Sequence, residues 1–150
     1  MKLTQNNVLM VIGIVVVVLI AGQRLFFSAL PESVHMKTVK SEKDFRTILG
    51  DAGPKLLVFD MYADWCGPCR MLHPMLETLA ERYVGKAEFY RVNVDANPGI
   101  AAYFGTTGIP HVVFVKDGKT VASLAGLNPS EAYESVINAE GLGKDAFGDK

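Results

Sequence analysis

The hydrophobic pattern divides the chain at about residue 30. Residues 8–22 read VLMVIGIVVVVLIAG, 15 positions without a polar side chain. Lys2 precedes this run. Extending the run to Phe27 gives a segment of 20 residues with Arg24 near its end. A long cationic side chain at that position can reach the membrane interface. Crossing a bilayer takes about 20 apolar residues, whereas the apolar part of a signal peptide is shorter. The pattern predicts an uncleaved N-terminal membrane anchor over residues 1–30.

A cleavable signal peptide is the alternative for this segment. Such a peptide carries small residues at positions −3 and −1 of its cleavage site. Only weak candidates occur, around Ala21-Gly22 and around Ser28-Ala29. No cysteine lies in residues 1–30, which excludes a lipid-modified N-terminal cysteine. Both interpretations take the rest of the chain to a membrane or across it.

Beyond residue 30 the apolar positions predict alternating helices and strands. The predicted strands cover 55–61, 87–94, 111–115 and 120–125, and the last two form a hairpin. The predicted helices run from the cap residue Ser41 to Gly50, from Cys66 to about Gly85, from Asn97 to about Gly105 and from Asn128 to about Ala139. Pro74 lies inside the longest helix and should kink it. This order indicates an α/β domain over 31–140, with a mixed sheet and helices on both faces. Residues 141–150 are Gly-rich and polar, which predicts a flexible tail.

Composition mainly excludes classes of protein. The chain has 49% hydrophobic and 21% charged residues, near the globular average, so wholesale disorder and a disulfide-dense scaffold are excluded. The net charge is −1 and no run of five lysines or arginines occurs, so the basic surface that binds nucleic acid is missing. We expect no nucleic-acid partner and no cofactor.

Both cysteines of the chain lie in Trp65-Cys66-Gly67-Pro68-Cys69, where a strand is predicted to give way to a helix. A Cys-x-x-Cys pair beside a βαβ pattern is typical of a redox site. A thiol at a helix N-terminus meets unpaired N–H groups and the positive end of the helix dipole, which favour its thiolate. Cys66 occupies that position and is expected to be exposed, whereas Cys69, one turn inside, is expected to be shielded. Gly67 permits the tight geometry, and Pro68 fits the first helical turn because its missing N–H costs nothing there.

Two other uses of the cysteine pair are open at this point. A structural disulfide that closes so short a loop removes little chain entropy, roughly 2 kcal/mol against about 3 for a 15-residue loop. A zinc site made of Cys66, Cys69 and His73 has no second cysteine pair, although zinc usually takes four protein ligands, or three and a water. The redox interpretation is favoured over both, and no metal site is predicted.

With these residues in view, the chain resembles the thioredoxin family over residues 36–139. The motif WCGPC has the family's own Gly-Pro dipeptide between the cysteines. Gly108-Ile109-Pro110 is similar to the family's cis-proline loop, and Asp60 stands six residues before Cys66, at the family's buried acidic position. These matches are independent of one another, so the resemblance is far more specific than a Cys-x-x-Cys pair alone.

The resemblance implies a thioredoxin fold and roles for particular residues. Asp60 is then the buried proton acceptor for Cys69, with a pKa that burial raises. Pro110, in its cis form, exposes backbone groups beside the sulfurs that pair with an incoming peptide. The substrate-binding surface implied in this way consists of Trp65, Gly67, Pro68, Ile109, Pro110 and Gly126.

The chain departs from the family's pattern at several positions. His111 follows the proline where many relatives have threonine, and it either lies near Cys66 or faces solvent. Arg91 replaces the lysine near the buried aspartate, and Tyr62 stands where tryptophan is frequent. These changes bear on the tuning of the redox pair and not on the reaction. His73 is expected on the exposed side of its helix.

The function that the resemblance implies is thiol–disulfide exchange with protein substrates. Cys66 attacks a substrate disulfide, and Cys69, deprotonated with help from Asp60, resolves the mixed disulfide. The Gly-Pro dipeptide favours a reductant that a membrane or soluble electron donor reduces again. The N-terminal segment is expected to hold the domain on the extracytoplasmic, periplasmic side of a membrane. A disulfide oxidase or isomerase, and a binding module with inert cysteines, are the alternatives.

Overall fold

The structure, a computed structural model, describes residues 34–141. Its elements are β1 (Lys37–Thr38), α1 (Glu42–Asp51), β2 (Leu56–Tyr62), α2 (Gly67–Arg82), β3 (Ala87–Asn93), α3 (Pro98–Tyr103), β4 (His111–Lys116), β5 (Lys119–Ala125) and α4 (Ser130–Gly141). The predicted anchor lies outside the described residues, and so does the predicted tail except Gly141, which ends α4 instead of beginning the tail. Within residues 34–141, no helix has the length and apolar composition needed to cross a membrane.

The strands of this domain form one mixed sheet in the order β1-β3-β2-β4-β5. β2 is parallel to β3 and antiparallel to β4, so Asp60 stands between Arg91 and Val112. The connection from β4 to β5 is a hairpin whose turn residues, Asp117 and Gly118, have φ angles of +51° and +71°. Two positive φ values are those of a type I′ turn, which the Asp-Gly sequence favours.

Alternate residues of β2 pack into two hydrophobic cores, one on each face of the sheet. Val58 joins the core formed with α2 and α4, whereas Leu57 and Phe59 join the core formed with α1 and α3. Every residue of β2 is buried, which explains why its sequence is continuously apolar instead of alternating. Asp60 interrupts this apolar run and lies on the face that α2 covers.

The predicted helices and strands are present, with ends displaced by a few residues. The predicted cap of α1 is confirmed, since Ser41 Oγ accepts a hydrogen bond from the Asp44 N–H at 3.2 Å. β1 was not predicted. It has two exposed residues and pairs with β3 at the margin of the sheet, and so short a strand leaves no alternating pattern in the sequence.

The expectation that His73 lies on the exposed side of its helix is wrong. Only 4% of its surface is exposed. The reason is its spacing along α2, four residues after Cys69 and three before Leu76, both of which are buried. Residues at this spacing share one helix face, so His73 lies on the stripe that packs against the sheet.

Candidate active site

The two cysteines lie at the N-terminus of α2 and are joined by a disulfide bond with an S–S distance of 2.03 Å. Cys66 is the N-cap residue, and Gly67 and Pro68 form the start of the first turn. The Cys66 sulfur accepts a hydrogen bond from the Cys69 N–H at 3.2 Å. Because the N–H groups of a first turn have no partner within the helix, this position stabilises negative charge on that sulfur.

Both cysteines are buried in this oxidised state. The exposed fraction is 3% for Cys66 and 1% for Cys69. The expectation of an exposed Cys66 is therefore wrong for the disulfide form, although Cys66 is the more accessible of the two. The disulfide directs the Cys66 sulfur toward Cys69 and the first turn of the helix, and this keeps the sulfur away from solvent.

The zinc alternative had Cys66, Cys69 and His73 as ligands. Cys66 and Cys69 are bonded to each other, so neither sulfur is a thiolate donor in this state. In the part of the chain that the structure describes, no group of three or more His, Cys, Asp and Glu side chains is placed to hold a metal ion.

Asp60 and Arg91 face each other across β2 and β3, on the side of the sheet that α2 covers. Their exposed fractions are 1% and 3%, and Asp60 Oδ2 lies 4.0 Å from Arg91 Nε. Burial raises the pKa of Asp60 from 3.8 to about 7, although the Arg91 charge opposes this shift. No described residue donates a hydrogen bond to Asp60 Oδ1. The carboxyl group can therefore take up and release a proton near neutral pH.

The fold places Asp60 at the same end of the sheet as the cysteine pair. It shares its face of β2 with Val58, while Cys69 shares the buried stripe of α2 with Leu72. Val58 and Leu72 pack in the same core. Because the chain reverses direction between β2 and α2, the end of the strand meets the start of the helix, which brings Asp60 and Cys69 to the same end of this interface.

Two aromatic residues, Tyr62 and Trp65, follow Asp60 in the chain and lie near this end of the sheet. Tyr62 is buried, and the Arg91 guanidinium carbon lies 4.0 Å from the centre of its ring. Trp65 is 66% exposed, and its Nε1–H donates a hydrogen bond to Asp95 Oδ2 at 2.8 Å. The bond orients an exposed apolar ring directly before Cys66. Sequence reasoning missed Asp95, because nothing in the order of residues places it beside Trp65.

The loop between α3 and β4 brings Ile109 and Pro110 to a cavity beside β5. The Ile109–Pro110 peptide bond is cis, as the resemblance implies. The Gly126 N–H donates a hydrogen bond to the Pro110 carbonyl oxygen at 2.8 Å, and Gly126 has a φ of +76°, which glycine adopts readily. Loop residues, Ser123 and Gly126 line a cavity of about 380 Å³. The predicted substrate-binding residues thus form two sets, one in this cavity (Ile109, Pro110, Gly126) and one at the cysteine pair (Trp65, Gly67, Pro68).

His111 also lines this cavity and does not face solvent. Its exposed fraction is 8%, and its Nδ1 lies 2.9 Å from the Thr106 hydroxyl oxygen. Burial lowers the pKa of the His111 ring, so the ring is neutral at neutral pH. Sequence reasoning singled out His111 and missed Thr106, since a threonine in a loop has no pattern that marks it as a partner.

The comparison with known proteins decides the family. A model of the thioredoxin family matches residues 36–139, which is more than half of the chain. The chain belongs to the thioredoxin family.

Thioredoxin from Chlorobaculum thiosulfatiphilum is 44% identical over 98 residues, which cover 65% of this chain and 90% of that protein. Thioredoxin from Staphylococcus haemolyticus is 42% identical over 87 residues, covering 58% of this chain and 82% of that protein. The X-ray structure of Fasciola hepatica thioredoxin has a TM-score of 0.66 at 34% identity and covers 70% of this chain and 99% of that one.

Membership in the thioredoxin family settles the class of reaction. The chain is a thioredoxin-type protein-disulfide reductase that works by thiol–disulfide exchange. The central mixed sheet with helices on both faces is the thioredoxin fold that the resemblance implied. The matched residues begin after the N-terminal apolar run, so the family says nothing about the role of that run.

Proposed function

We propose that this chain is a membrane-anchored reductant that transfers electrons to disulfides of proteins outside the cytoplasm, with Cys66 as the attacking sulfur. The observation that supports this assignment most directly is the position of the Cys66–Cys69 disulfide at the N-terminus of α2, at the end of the β2–α2 interface where the buried Asp60 also lies. The helix terminus stabilises one thiolate, and the carboxyl group is able to accept the proton of the other thiol.

The first step belongs to Cys66. In the reduced protein its thiolate attacks one sulfur of a substrate disulfide. The substrate's S–S bond breaks, its second sulfur leaves as a thiolate that takes a proton from solvent, and a mixed disulfide joins Cys66 to the substrate. The unpaired N–H groups at the start of α2 favour the thiolate that makes this attack.

The second step belongs to Cys69 and Asp60. The Asp60 carboxylate takes the proton of the Cys69 thiol, and the resulting thiolate attacks the Cys66 sulfur of the mixed disulfide. The Cys66–Cys69 bond forms, and the substrate leaves as a second thiolate, which is then protonated. Two electrons have passed from the cysteine pair to the substrate. A pKa of about 7 leaves a substantial fraction of Asp60 ionised at neutral pH, as a proton acceptor requires.

The substrate segment that carries the disulfide lies, in this proposal, between the cysteine pair and the loop at Ile109 and Pro110. Trp65 covers one flank of the segment and Gly126 the other. Recognition through backbone groups of an extended segment makes few demands on the substrate's side chains. This suits a reductase that acts on more than one protein.

The N-terminal run supplies the anchor in the same proposal. With its extension to Phe27 it gives 20 residues from Val8, and Lys2 precedes it, an arrangement similar to an export signal. The chain has no cysteine besides Cys66 and Cys69, so no other thiol mispairs in an oxidising compartment. Outside the cytoplasm the oxidised pair needs an electron donor in or at the membrane, and a tether keeps the domain close to it.

Single cysteine variants test the order of the two steps. We expect Cys66→Ser to abolish the reduction of insulin disulfides with dithiothreitol as electron source. We expect Cys69→Ser to accumulate a covalent mixed disulfide with the substrate, visible as a mass increase that excess reductant removes. A mixed disulfide trapped by Cys66→Ser would reverse the assignment of the sulfurs.

Two further measurements separate the proposed reductant from its alternatives. A wild-type chain that binds insulin without reducing it contradicts the assignment and supports a binding module. The equilibrium of the Cys66–Cys69 pair with glutathione distinguishes the direction of exchange, because a reductant stays oxidised under conditions in which an oxidase becomes reduced.

A further inference from the structure

The loop between α3 and β4 is tied to the fold at both of its ends. At its start, the Thr106 N–H donates a hydrogen bond to the Ala101 carbonyl oxygen at 2.9 Å, which holds Thr106 against α3. At its end, the Pro110 carbonyl oxygen accepts a hydrogen bond from the Gly126 N–H at 2.8 Å. The residues between these ties include Ile109, which the proposed function assigns to substrate binding.

One side-chain hydrogen bond joins the two ends of the loop directly. Thr106 Oγ1 lies 2.9 Å from Nδ1 of His111, the first residue of β4. His111 is 92% buried, and a buried polar ring that loses its partner costs free energy. A threonine hydroxyl both donates and accepts, so the bond is compatible with either neutral tautomer of the ring. The position of the His111 ring and the closure of the loop therefore depend on each other.

The His111 ring lies on the face of the sheet opposite Asp60. Successive residues of a strand point to opposite faces, and on β4 Val112 belongs to the core beneath α2 while Val113 belongs to the core beneath α1 and α3. His111 shares the face of Val113, whereas Asp60 shares the face of Val112. The sheet thus separates the imidazole from the carboxyl group that serves Cys69, which leaves the proton transfer of the second step to Asp60.

We propose that His111 is a positioning residue for protein substrates, because its hydrogen bond to Thr106 closes the loop and holds Ile109 and Pro110 in the arrangement that receives the substrate segment. The inference rests on the proposed function, in which this loop binds the substrate. His111 then affects the affinity for a protein substrate. The reaction of the cysteine pair with a small disulfide does not use the loop and is independent of His111.

Paired substitutions at both ends of the bond test this role. Thr106→Val removes the hydroxyl, and His111→Gln places an amide near the position of Nε2 and away from Nδ1. We expect each to raise the KM for insulin about five-fold, the ratio that corresponds to about 1 kcal/mol of lost binding, with kcat unchanged. Thr106→Ser keeps the hydroxyl and His111→Asn places an amide near Nδ1, and both are expected to restore the wild-type KM. The double variant Thr106→Val/His111→Gln should raise KM no further than the larger single effect.

The reaction of each variant with 5,5′-dithiobis(2-nitrobenzoic acid), a small disulfide, should keep its wild-type rate. Thr47→Val on α1 is the matched control, since it also removes a hydrogen-bonded threonine hydroxyl. The Thr47 hydroxyl donates to the Lys43 carbonyl oxygen at 3.1 Å, and its loss should leave KM unchanged. Circular dichroism and thermal unfolding check that each variant is folded. If Thr106→Val does not fold, the KM of His111→Gln is compared with that of His111→Asn to test the proposal. An unchanged KM in His111→Gln, or a loss confined to kcat and to the small-disulfide rate, overturns the proposal. Absence of insulin reduction by the wild-type chain contradicts instead the proposed function on which it rests.

Discussion

Asp60 Oδ2 and Arg91 Nε lie 4.0 Å apart between the sheet and α2, in a layer from which solvent is almost excluded. Neither Asp60 Oδ1 nor Arg91 Nε has a hydrogen-bond partner among the described residues. The two groups therefore act on each other through charge and not through a bidentate hydrogen-bonded pair. Burial brings the pKa of Asp60 to about 7, so this carboxyl group changes its protonation state near neutral pH.

Replacing Asp60 by asparagine should stabilise the oxidised protein at pH 8 and leave its stability almost unchanged at pH 4. The pKa of Asp60 is raised from 3.8 to about 7 in the fold. Between about pH 4 and pH 7, Asp60 is therefore protonated in the folded state and ionised in the unfolded state. Its contribution to the free energy of unfolding falls as pH rises through this range. At 1.36 kcal/mol per pKa unit, the difference between variant and wild type should grow by up to roughly 4 kcal/mol over this range. Urea unfolding at pH 4 and pH 8 measures it, and an equal difference at the two pH values would show that folding does not raise the pKa of Asp60.

Replacing Arg91 by methionine should move the pH dependence of the second reaction step to higher pH. The Arg91 charge lowers the pKa of Asp60, so its removal lets burial raise that pKa further. Release of substrate from the mixed disulfide then needs a higher pH to reach half of its maximal rate. Trp65, the only tryptophan of the chain, lies directly before Cys66 and reports this step by fluorescence in single-turnover experiments.

Arg91→Lys is the control for this prediction. It keeps a positive charge at the site, so the pH at half-maximal rate should stay close to the wild-type value. If the methionine variant has the wild-type pH profile as well, a group other than Asp60 determines the rate of the second step.

The elements at the centre of the sheet were predictable from sequence because their signals are local. A continuous apolar run marks a strand buried on both faces, which is β2, and an Asp-Gly pair marks the turn between β4 and β5. β1 exists only through its pairing of Lys37 with Tyr90 and of Thr38 with Arg91. Those partners are far away in the chain and come together only when it folds, so no local pattern predicts the strand.

The same distinction applies to the site. Cys66 and Cys69 stand out by their spacing, and Asp60 stands out as a carboxylate in an apolar strand. The contacts that orient the site follow from three-dimensional packing, as in the hydrogen bond from Trp65 to Asp95. His73 was misplaced because polarity was taken as the sign of exposure, whereas its spacing on α2 puts it with the buried residues.

Replacing Glu88 by glutamine should lower the free energy of unfolding of the domain by about 1 kcal/mol at neutral pH. The value is modest because the lysines that donate hydrogen bonds to Glu88 are largely exposed to solvent. Glu88 accepts hydrogen bonds from Lys55 at 2.7 Å, Tyr90 at 2.6 Å and Lys37 at 2.9 Å. The Lys55 bond, followed by the other two, lowers the pKa of Glu88 from 4.5 to about 2. A depressed carboxyl pKa contributes stability above pH 4.5, and this contribution disappears as pH falls toward 2.

Urea unfolding of Glu88→Gln and wild type between pH 2 and pH 7 tests this dependence. The difference in the free energy of unfolding should shrink as pH falls, and also as salt concentration rises at pH 7. Glu81→Gln, at an exposed glutamate of α2, provides the comparison for a carboxylate lost elsewhere on the surface. A difference that stays constant from pH 7 to pH 2 would mean that the carboxylate charge of Glu88 does not stabilise the fold.

The last prediction concerns the side of the membrane on which the domain lies. We expect a C-terminal alkaline phosphatase fusion of the full chain to be active in a bacterial host, and a C-terminal green fluorescent protein fusion, exported unfolded, to be dark. The positive charges next to the apolar run favour the opposite orientation, since Lys2 precedes the run while Arg24, Lys37 and Lys40 follow it.

Other features of the sequence favour export in spite of these charges. A cationic residue followed by an apolar run is the arrangement of an export signal. A tether benefits a reductase whose electron donor is in the membrane, whereas a cytoplasmic reductase gains no evident advantage from one. Alanine substitution of Lys2 should therefore reduce phosphatase activity, and substitution of Arg24 should not. A fluorescent green fluorescent protein fusion combined with an inactive phosphatase fusion would place the domain in the cytoplasm and remove the need for a membrane electron donor.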